Sequence, residues 1–178
     1  MKAEWMQSQT SEMDGLWRRG VFQKVLCSSL TPQDRVFTSR FHDKIKQKKG
    51  KFEKCKVRLV VQGQHMRLKG EDCVGDYNDA FSPKPVDSRV HTILSLATQQ
   101  NMYTDQVNIS QAFVQGELLP GDSHNGKAHI FAPLGYDKDH LYVYHLFKPL
   151  YDTPCAALAW NTTMSVFLAK EGCATVGF

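Results

Sequence analysis

Two periods of apolar residues organise the first third of the chain. Trp5, Met6, Met13, Leu16 and Trp17 recur at helical spacing, so residues 4 to 18 predict an amphipathic packing helix. Val21 to Val25 predicts a short strand, and Ser28 to Asp34 a loop. Residues 35 to 62 predict a hairpin. Its first arm runs through Arg35–Phe41 and His42–Lys46, and its second through Lys54–Val61. Lys48-Lys49-Gly50-Lys51 supplies the turn, where Gly50 can take positive φ. In the second arm Lys56 and Arg58 fall on one face, while Val57, Leu59 and Val61 fall on the other.

The pattern is more broken further on. Gln64 to Gly75 reads as a polar loop, and Asp76 to Pro83 as a turn-rich segment with two aromatic anchors. Asp87 or Ser88 caps a predicted helix whose buried stripe is Val90, Ile93, Leu94 and Ala97, ending near Asn101. The stretch Asp105-Gln106-Val107-Asn108-Ile109 then reads as a short buried strand leading into a polar turn, and Gly116 stops it. Val107 and Ile109 point one way and Asn108 the other. A polar side chain at the tip of such a strand can hold a reactive group in a cleft, or can simply be a turn residue. Pro120 to Gly126 is a loop, followed by strands at Ala128–Ala132 and Leu141–Phe147 and a turn at Pro149–Pro154. A last helix runs from about Ala156 to Lys170, with Ala156, Ala159, Trp160, Met164 and Phe167 inward.

Composition narrows this modestly. The 178 residues, 42% hydrophobic and 22% charged, suit one soluble globular domain. The formal net charge of +4 permits a polyanionic partner. That charge is concentrated in the hairpin, where Arg40, Lys44, Lys46, Lys48, Lys49, Lys51, Lys54, Lys56 and Arg58 are opposed only by Asp43 and Glu53. Such clustering is either a solvated surface or an electrostatic footprint for nucleic acid. The five cysteines form no C-x-x-C pair, so zinc and a complete disulfide framework are not expected. No apolar run is long enough to span a membrane, and Met-Lys-Ala-Glu-Trp is not a signal peptide, so an intracellular place (cytoplasm or nucleus) is expected.

Several segments, in order, resemble the reverse transcriptase of copia-type LTR retrotransposons, an RNA-dependent DNA polymerase. Lys56-Val57-Arg58-Leu59-Val60-Val61-Gln62-Gly63 resembles the family's Lys-Ala-Arg-Leu-Val-Ala-x-Gly strand of the fingers. Asp76-Tyr77 with Ala80-Phe81-Ser82-Pro83 resembles its Asp-Tyr…Thr-Phe-Ser-Pro segment. Asn108 to Gly116 resembles its motif A, in which Asp and an apolar residue are followed by Ala-Phe and then Gly. Ile130 to Pro133 matches its Ile-Tyr-Met-x-x-Pro region, and Lys148-Pro149-Leu150-Tyr151 through Trp160 its Lys-Ser-Leu-Tyr-Gly…Ala-Trp region. Three positions depart. Asn108 stands in place of the metal-binding Asp, Asp152 in place of the Gly after Leu-Tyr, and Lys84 in place of a usual Val. The family's Tyr-x-Asp-Asp motif is not in the sequence.

The resemblance implies an α+β fold, a partial right-hand polymerase with antiparallel sheets packed on helices. Residues 1 to about 100 would be fingers and about 101 to 178 the start of the palm. It implies RNA-directed DNA synthesis on an RNA or DNA primer-template with nucleoside triphosphates and Mg²⁺. Two divalent ions in that chemistry need hard, charged oxygens. A neutral amide at Asn108 cannot supply them, and Asp105, about 10 Å away along a strand, cannot compensate. The chain is therefore expected to be a truncated, degenerate and inactive piece of such an enzyme, with no competent metal site. The resemblance places Ile109, Ser110, Gln111 and Ala112 under the triphosphate and Phe113 as the ribose gate. It brings Lys56, Arg58 and Tyr151 to the nucleotide. Nucleic acid would be held by Lys44, Lys46, Lys48, Lys49, Lys51 and Lys54. The alternative is a non-catalytic nucleic-acid-binding remnant that uses the basic hairpin at residues 40 to 58. In either case an unpaired strand at residues 105 to 109 would invite self-association.

Overall fold

Met13 and Leu16, on the inner face of the first helix, are fully buried and sit at the centre of the core. In the computed structural model that helix, α1, spans Lys2–Arg18. The structure describes residues 2–66, 80–82, 86–118, 128–137 and 141–173. The class is α+β, with one mixed sheet, one antiparallel hairpin and helices packed around them. Met6, counted with the apolar face, is exposed near the helix start. Trp17 lies at the rim, yet its ring meets Phe22 edge-on at 4.6 Å and Tyr144 at 5.6 Å.

The hairpin is β3 (Ser39–Lys48) and β4 (Lys51–Val61). Lys49 and Gly50 both take positive φ, at 52° and 75°, the two-residue turn that matches the twist of paired strands. A hairpin reaching back to residue 35 needs correction. The chain breaks at Thr38, and β2 (Arg35–Phe37) leaves the hairpin for the other sheet, where it pairs in parallel with β5 (Ala128–Ile130). Periodicity shows that a strand exists and cannot show which strand it joins. That sheet runs β1 (Phe22–Leu26), β6 (Tyr142–Leu146), β5, β2, with β6 antiparallel to both neighbours.

Four further expectations fail. Residues 103–109 form no strand, and Val107 is 79% exposed. A strand needs a partner ladder, and none among the described residues reaches this stretch. Helix α2 (Asp87–Gln99) forms, but Val90, Ile93 and Leu94 are exposed and only Ala97 is buried. An apolar stripe marks the side of a helix suited to packing without supplying the surface to pack on. The residue at its N-cap is Val86, which makes no side-chain cap bond, so Asp87 is already helical. Helix α3 (Ala156–Lys170) buries Ala156 and Ala159, half-buries Trp160 and Met164, and leaves Phe167 53% exposed. The loop expectations at residues 67–79 and 119–127, and the departure at Lys84, lie outside the described residues.

Two seams hold the hairpin to the body. Along the outer edge of β4, α1 supplies side chains to open backbone groups. Ser8 Oγ donates to the Cys55 carbonyl at 3.2 Å, and the Leu59 N–H donates to Glu12 Oε1 at 3.4 Å. At the inner end, Val60 bridges Tyr151 and the Val61 N–H donates to the Tyr151 carbonyl at 3.0 Å. Gly63 follows, so close to the next turn that an added Cβ would stand 1.9 Å from the Asp152 carbonyl oxygen. Asp152 itself sits at φ 66°, in the left-handed region that glycine favours. That gives a backbone reason for Gly at this position in the resembled family, and Asp is one of the few other residues to tolerate it.

Gly63→Ala should therefore cost about 3 kcal/mol, since the obstruction is backbone and cannot swing aside. Gly50→Ala, strained only by its φ of 75° with nothing within 4 Å, should cost about 1 kcal/mol. Urea denaturation of both variants checks the difference, and equal losses would contradict the close approach at Gly63.

In the four-stranded sheet His129 of β5 lies opposite His145 of β6, with ring nitrogens 3.1 Å apart. Burial, and then the facing imidazole, lower the His145 pKa from 6.5, partly countered by Asp34. The folded state thus takes up this proton less readily than the unfolded state. Stability from this group is complete above the unfolded value of 6.5 and is lost as the pH falls below it through the folded value. Melting temperature should drop across that window, and His145→Gln should flatten the slope. An unchanged slope in the variant would remove His145 from the account.

Candidate functional site

The cationic residues of the hairpin are brought onto one face by strand register. His42 faces Arg58, Lys44 faces Lys56, and Lys46 faces Lys54, in three successive cross-strand pairs. Alternation puts all six side chains on the same side. A bulge between Lys46 and Gln47 shifts the register before the turn, where Lys48 faces Lys51. Lys44, Lys46, Lys48, Lys49, Lys51 and Lys54 are all exposed. Like charges placed directly opposite one another destabilise a two-stranded sheet. The opposite face carries Phe41 against Leu59 and Ile45 against Cys55, so the hairpin is amphipathic as well as charged.

Lys56 is half-buried and turns toward α1. Its ammonium is pushed below its ordinary range by burial first, then by Arg58 and Lys46, against an opposite pull from Glu12. Arg58 takes a different course, with its guanidinium 5.2 Å from the centre of the Tyr151 ring. That stacking is a cation–π contact. Tyr151 is buried, and burial pushes its phenol up to about 12.

The segment resembling motif A is a coil that tightens into a 3-10 turn at Ala112–Gln115. Asn108 is exposed in the coil, Ile109 is half-buried, and the Ser110 carbonyl accepts from Gln115 Nε2 at 2.7 Å. Gln111 adopts φ 53° at the head of the turn, and its Nε2 donates to Glu12 Oε2 at 3.1 Å. Ala112 is half-buried and Phe113 is 39% exposed at the rim. Val114 is fully buried in the core. At Gly116 an added Cβ would lie 2.9 Å from the Trp160 nitrogen of α3, so this glycine permits the helix to pass.

Glu12 links these parts. One oxygen accepts the Leu59 N–H of β4 and the other accepts Gln111 of the motif turn. Burial raises its carboxyl above the ordinary value, against the pull of both hydrogen bonds and of Arg58 and Lys56. The sequence reading missed Glu12, although one signal was present. It lies one turn before Leu16 on the apolar face of α1, where a carboxylate needs a partner. Gly63 and Gly116 carried no local signal of their own.

The structure thus brings Lys56, Glu12 and Gln111 together, and separately Arg58 with Tyr151. Asn108 has no described side-chain hydrogen bond. Among the described residues no group of three or more His, Cys, Asp or Glu side chains is arranged to hold a metal ion. No described helix is long and apolar enough to cross a membrane. Among the described residues Cys27, Cys55, Cys155 and Cys173 form no disulfide.

Comparison with known proteins agrees with the motifs. The chain is 28% identical over 175 residues to the retrovirus-related Pol polyprotein from transposon TNT 1-94 of Nicotiana tabacum, covering 96% of this chain and 12% of that protein. It is 29% identical over 139 residues to the Pol polyprotein from transposon RE2 of Arabidopsis thaliana, covering 77% of this chain and 8% of that one. It therefore spans about a tenth of the length of the curated relatives it matches. No solved structure matches it. The profile of the reverse transcriptase (RNA-dependent DNA polymerase) family matches residues 28–176, well over half of the chain, which therefore belongs to that family.

Proposed function

We propose that this reverse transcriptase segment holds nucleic acid on the cationic face of its hairpin and does not itself polymerise. In this reading residues 1 to about 100 act as fingers and residues from about 101 as the beginning of the palm. The observation that carries it is the facing of Lys44 with Lys56 and of Lys46 with Lys54. A fold that needed only a solvated surface would alternate signs across the strands, because opposite-charge pairs stabilise and like pairs do not. Neutralising phosphates releases counterions, which makes such a face favourable only when a polyanion lies on it.

The metal chemistry of the family does not fit the residues present. Asn108 contributes one neutral oxygen from an exposed coil, and Asp105 is exposed in the same coil. Mg²⁺ is held by charged oxygens in a fixed octahedral arrangement, which an unsupported amide cannot impose. What remains of the nucleotide site is binding surface. Arg58 stacked on Tyr151 offers a charged plane, the turn at Ala112–Gln115 offers backbone, and Phe113 stands at the rim.

Purified chain given primed template, nucleotides and Mg²⁺ or Mn²⁺ should extend no primer. Extension above a no-protein control would overturn the non-catalytic half of the reading.

Binding of an oligothymidylate should weaken steeply with salt. Charge reversal at Lys44, Lys46 and Lys54 should weaken it and reduce the salt slope by roughly 2, at about 0.7 per lost phosphate contact on a single strand. Fluorescence anisotropy across a salt series measures both. Affinity and slope unchanged in the triple variant would rule out the hairpin face.

A further inference from the structure

We infer that His129 and His145 together bind one borderline transition-metal dication such as Zn²⁺, between Nε2 of the first and Nδ1 of the second, with Asp34 positioning His129 from behind. The pair belongs to the four-stranded sheet, not to the cationic hairpin. The inference does not rest on the proposed role in holding nucleic acid.

Strand register makes the pair. Gln23 of β1 faces His145, His145 faces His129, and Val36 of β2 faces His129, in one row across the sheet. The adjacent positions Phe22, Leu146, Ile130 and Phe37 belong to the main core, so alternation puts this row on the sheet's other face. There the two ring centroids lie 4.7 Å apart, and His129 Nε2 stands 3.1 Å from His145 Nδ1. His129 is buried and His145 half-buried, so solvent reaches the pair from the His145 side.

A hydrogen bond between the rings accounts for the contact by itself. The surroundings of His129 go further. Asp34 Oδ2 accepts the Thr31 N–H at 2.6 Å and the Thr31 hydroxyl at 2.7 Å, which fixes the carboxylate. Its Oδ1 lies 3.9 Å from His129 Nδ1, the ring nitrogen that does not face His145. A negative charge there favours the proton of a neutral His129 on Nδ1 and leaves the lone pair on Nε2. The slot between the two facing nitrogens then calls for a positive centre, either a proton on His145 or a metal ion in its place. Carboxylate, imidazole and metal, in that order, are the usual support of a histidine ligand.

The spacing fits the ion class. At metal–nitrogen distances of about 2.0–2.1 Å, nitrogens 3.1 Å apart subtend about 95–100° at the ion, between the square-planar and tetrahedral angles. The half-buried His145 ring can turn about its side-chain bonds to bring both lone pairs onto one ion. Neutral imidazoles suit zinc, copper and nickel, whereas Mg²⁺ and Ca²⁺ take oxygen. The described residues supply two ligands and no group of three, so water fills the remaining positions. Cysteine spacing could not signal such a site, because its ligands are histidines on two strands, 16 residues apart.

The test titrates the full chain, with its thiols reduced, by isothermal calorimetry and reads the melting temperature alongside. One Zn²⁺ per chain should bind and raise the melting temperature, and Mg²⁺ at the same concentration should do neither. His145→Gln should abolish Zn²⁺ binding, and Asp34→Asn should weaken it about tenfold. Melting temperatures of the metal-free variants separate loss of a ligand from loss of the fold. Co²⁺ in place of Zn²⁺ reports the donor atoms of the wild-type chain. Nitrogen and water ligation gives visible bands alone, whereas thiolate ligation adds charge transfer in the near ultraviolet. Zn²⁺ affinity unchanged in His145→Gln, a thiolate band, Mg²⁺ binding as tightly as Zn²⁺, or no one-to-one binding at all would each overturn the site. If His145→Gln fails to fold, the cobalt spectrum and the Asp34→Asn affinity decide. Unchanged affinity in Asp34→Asn, with binding lost in His145→Gln, keeps the two-histidine site and removes Asp34 from it.

Discussion

The backbone contact between Gly63 and Asp152 fixes the hairpin to the rest of the molecule. A two-stranded ribbon has no core of its own and is marginal in isolation. Here the inner end of β4 enters the body, where Val60 and Val61 are buried and the Val61 N–H is bound to Tyr151. The bridge forms only because residue 63 has no side chain and because residue 152 accepts positive φ. Tyr151, held between them, then presents its ring to Arg58. One steric condition therefore positions both the hairpin's cations and the turn that resembles the family's nucleotide site.

The second anchor works from the other side and by different physics. An exposed strand edge leaves N–H and C=O groups unpaired. Helix α1 covers that edge on β4 with the polar side chains of Ser8 and Glu12. The cost is a half-buried carboxylate, with its charge opposed by desolvation and supported by two hydrogen bonds and two nearby cations. The same carboxylate holds Gln111, so the edge of the hairpin and the motif turn share one partner. Helix, strand and turn are thereby tied at a single polar point.

The sequence was legible where local period and burial coincide. Met13 and Leu16 on α1, and Val57, Leu59 and Val61 on β4, are buried as their spacing requires. It misled where a pattern needs a partner that the pattern does not name. The alternation at Val107 and Ile109 is real, yet among the described residues no ladder meets it, and the stripe on α2 is exposed for the same reason. β2 reads as an extension of the hairpin because its parallel partner lies more than ninety residues away in sequence, at Ala128–Ile130. The cationic hairpin was visible as composition. Only the register showed that its charges face one another.

In the segment that resembles motif A, packing and exposure separate residue by residue. Val114 fills the core, Gly116 lets α3 pass at close range, and Gln111 is bound to Glu12. These three would be required by the fold whatever stood at residue 108. Asn108 itself is exposed, so exchange of a carboxylate for an amide there costs the fold almost nothing. A metal-binding carboxylate on an exposed coil contributes charge to a reaction and no packing to the core. Such a position can lose its chemistry while the surrounding motif stays recognisable, because the neighbours that make it recognisable are held by contacts it does not share.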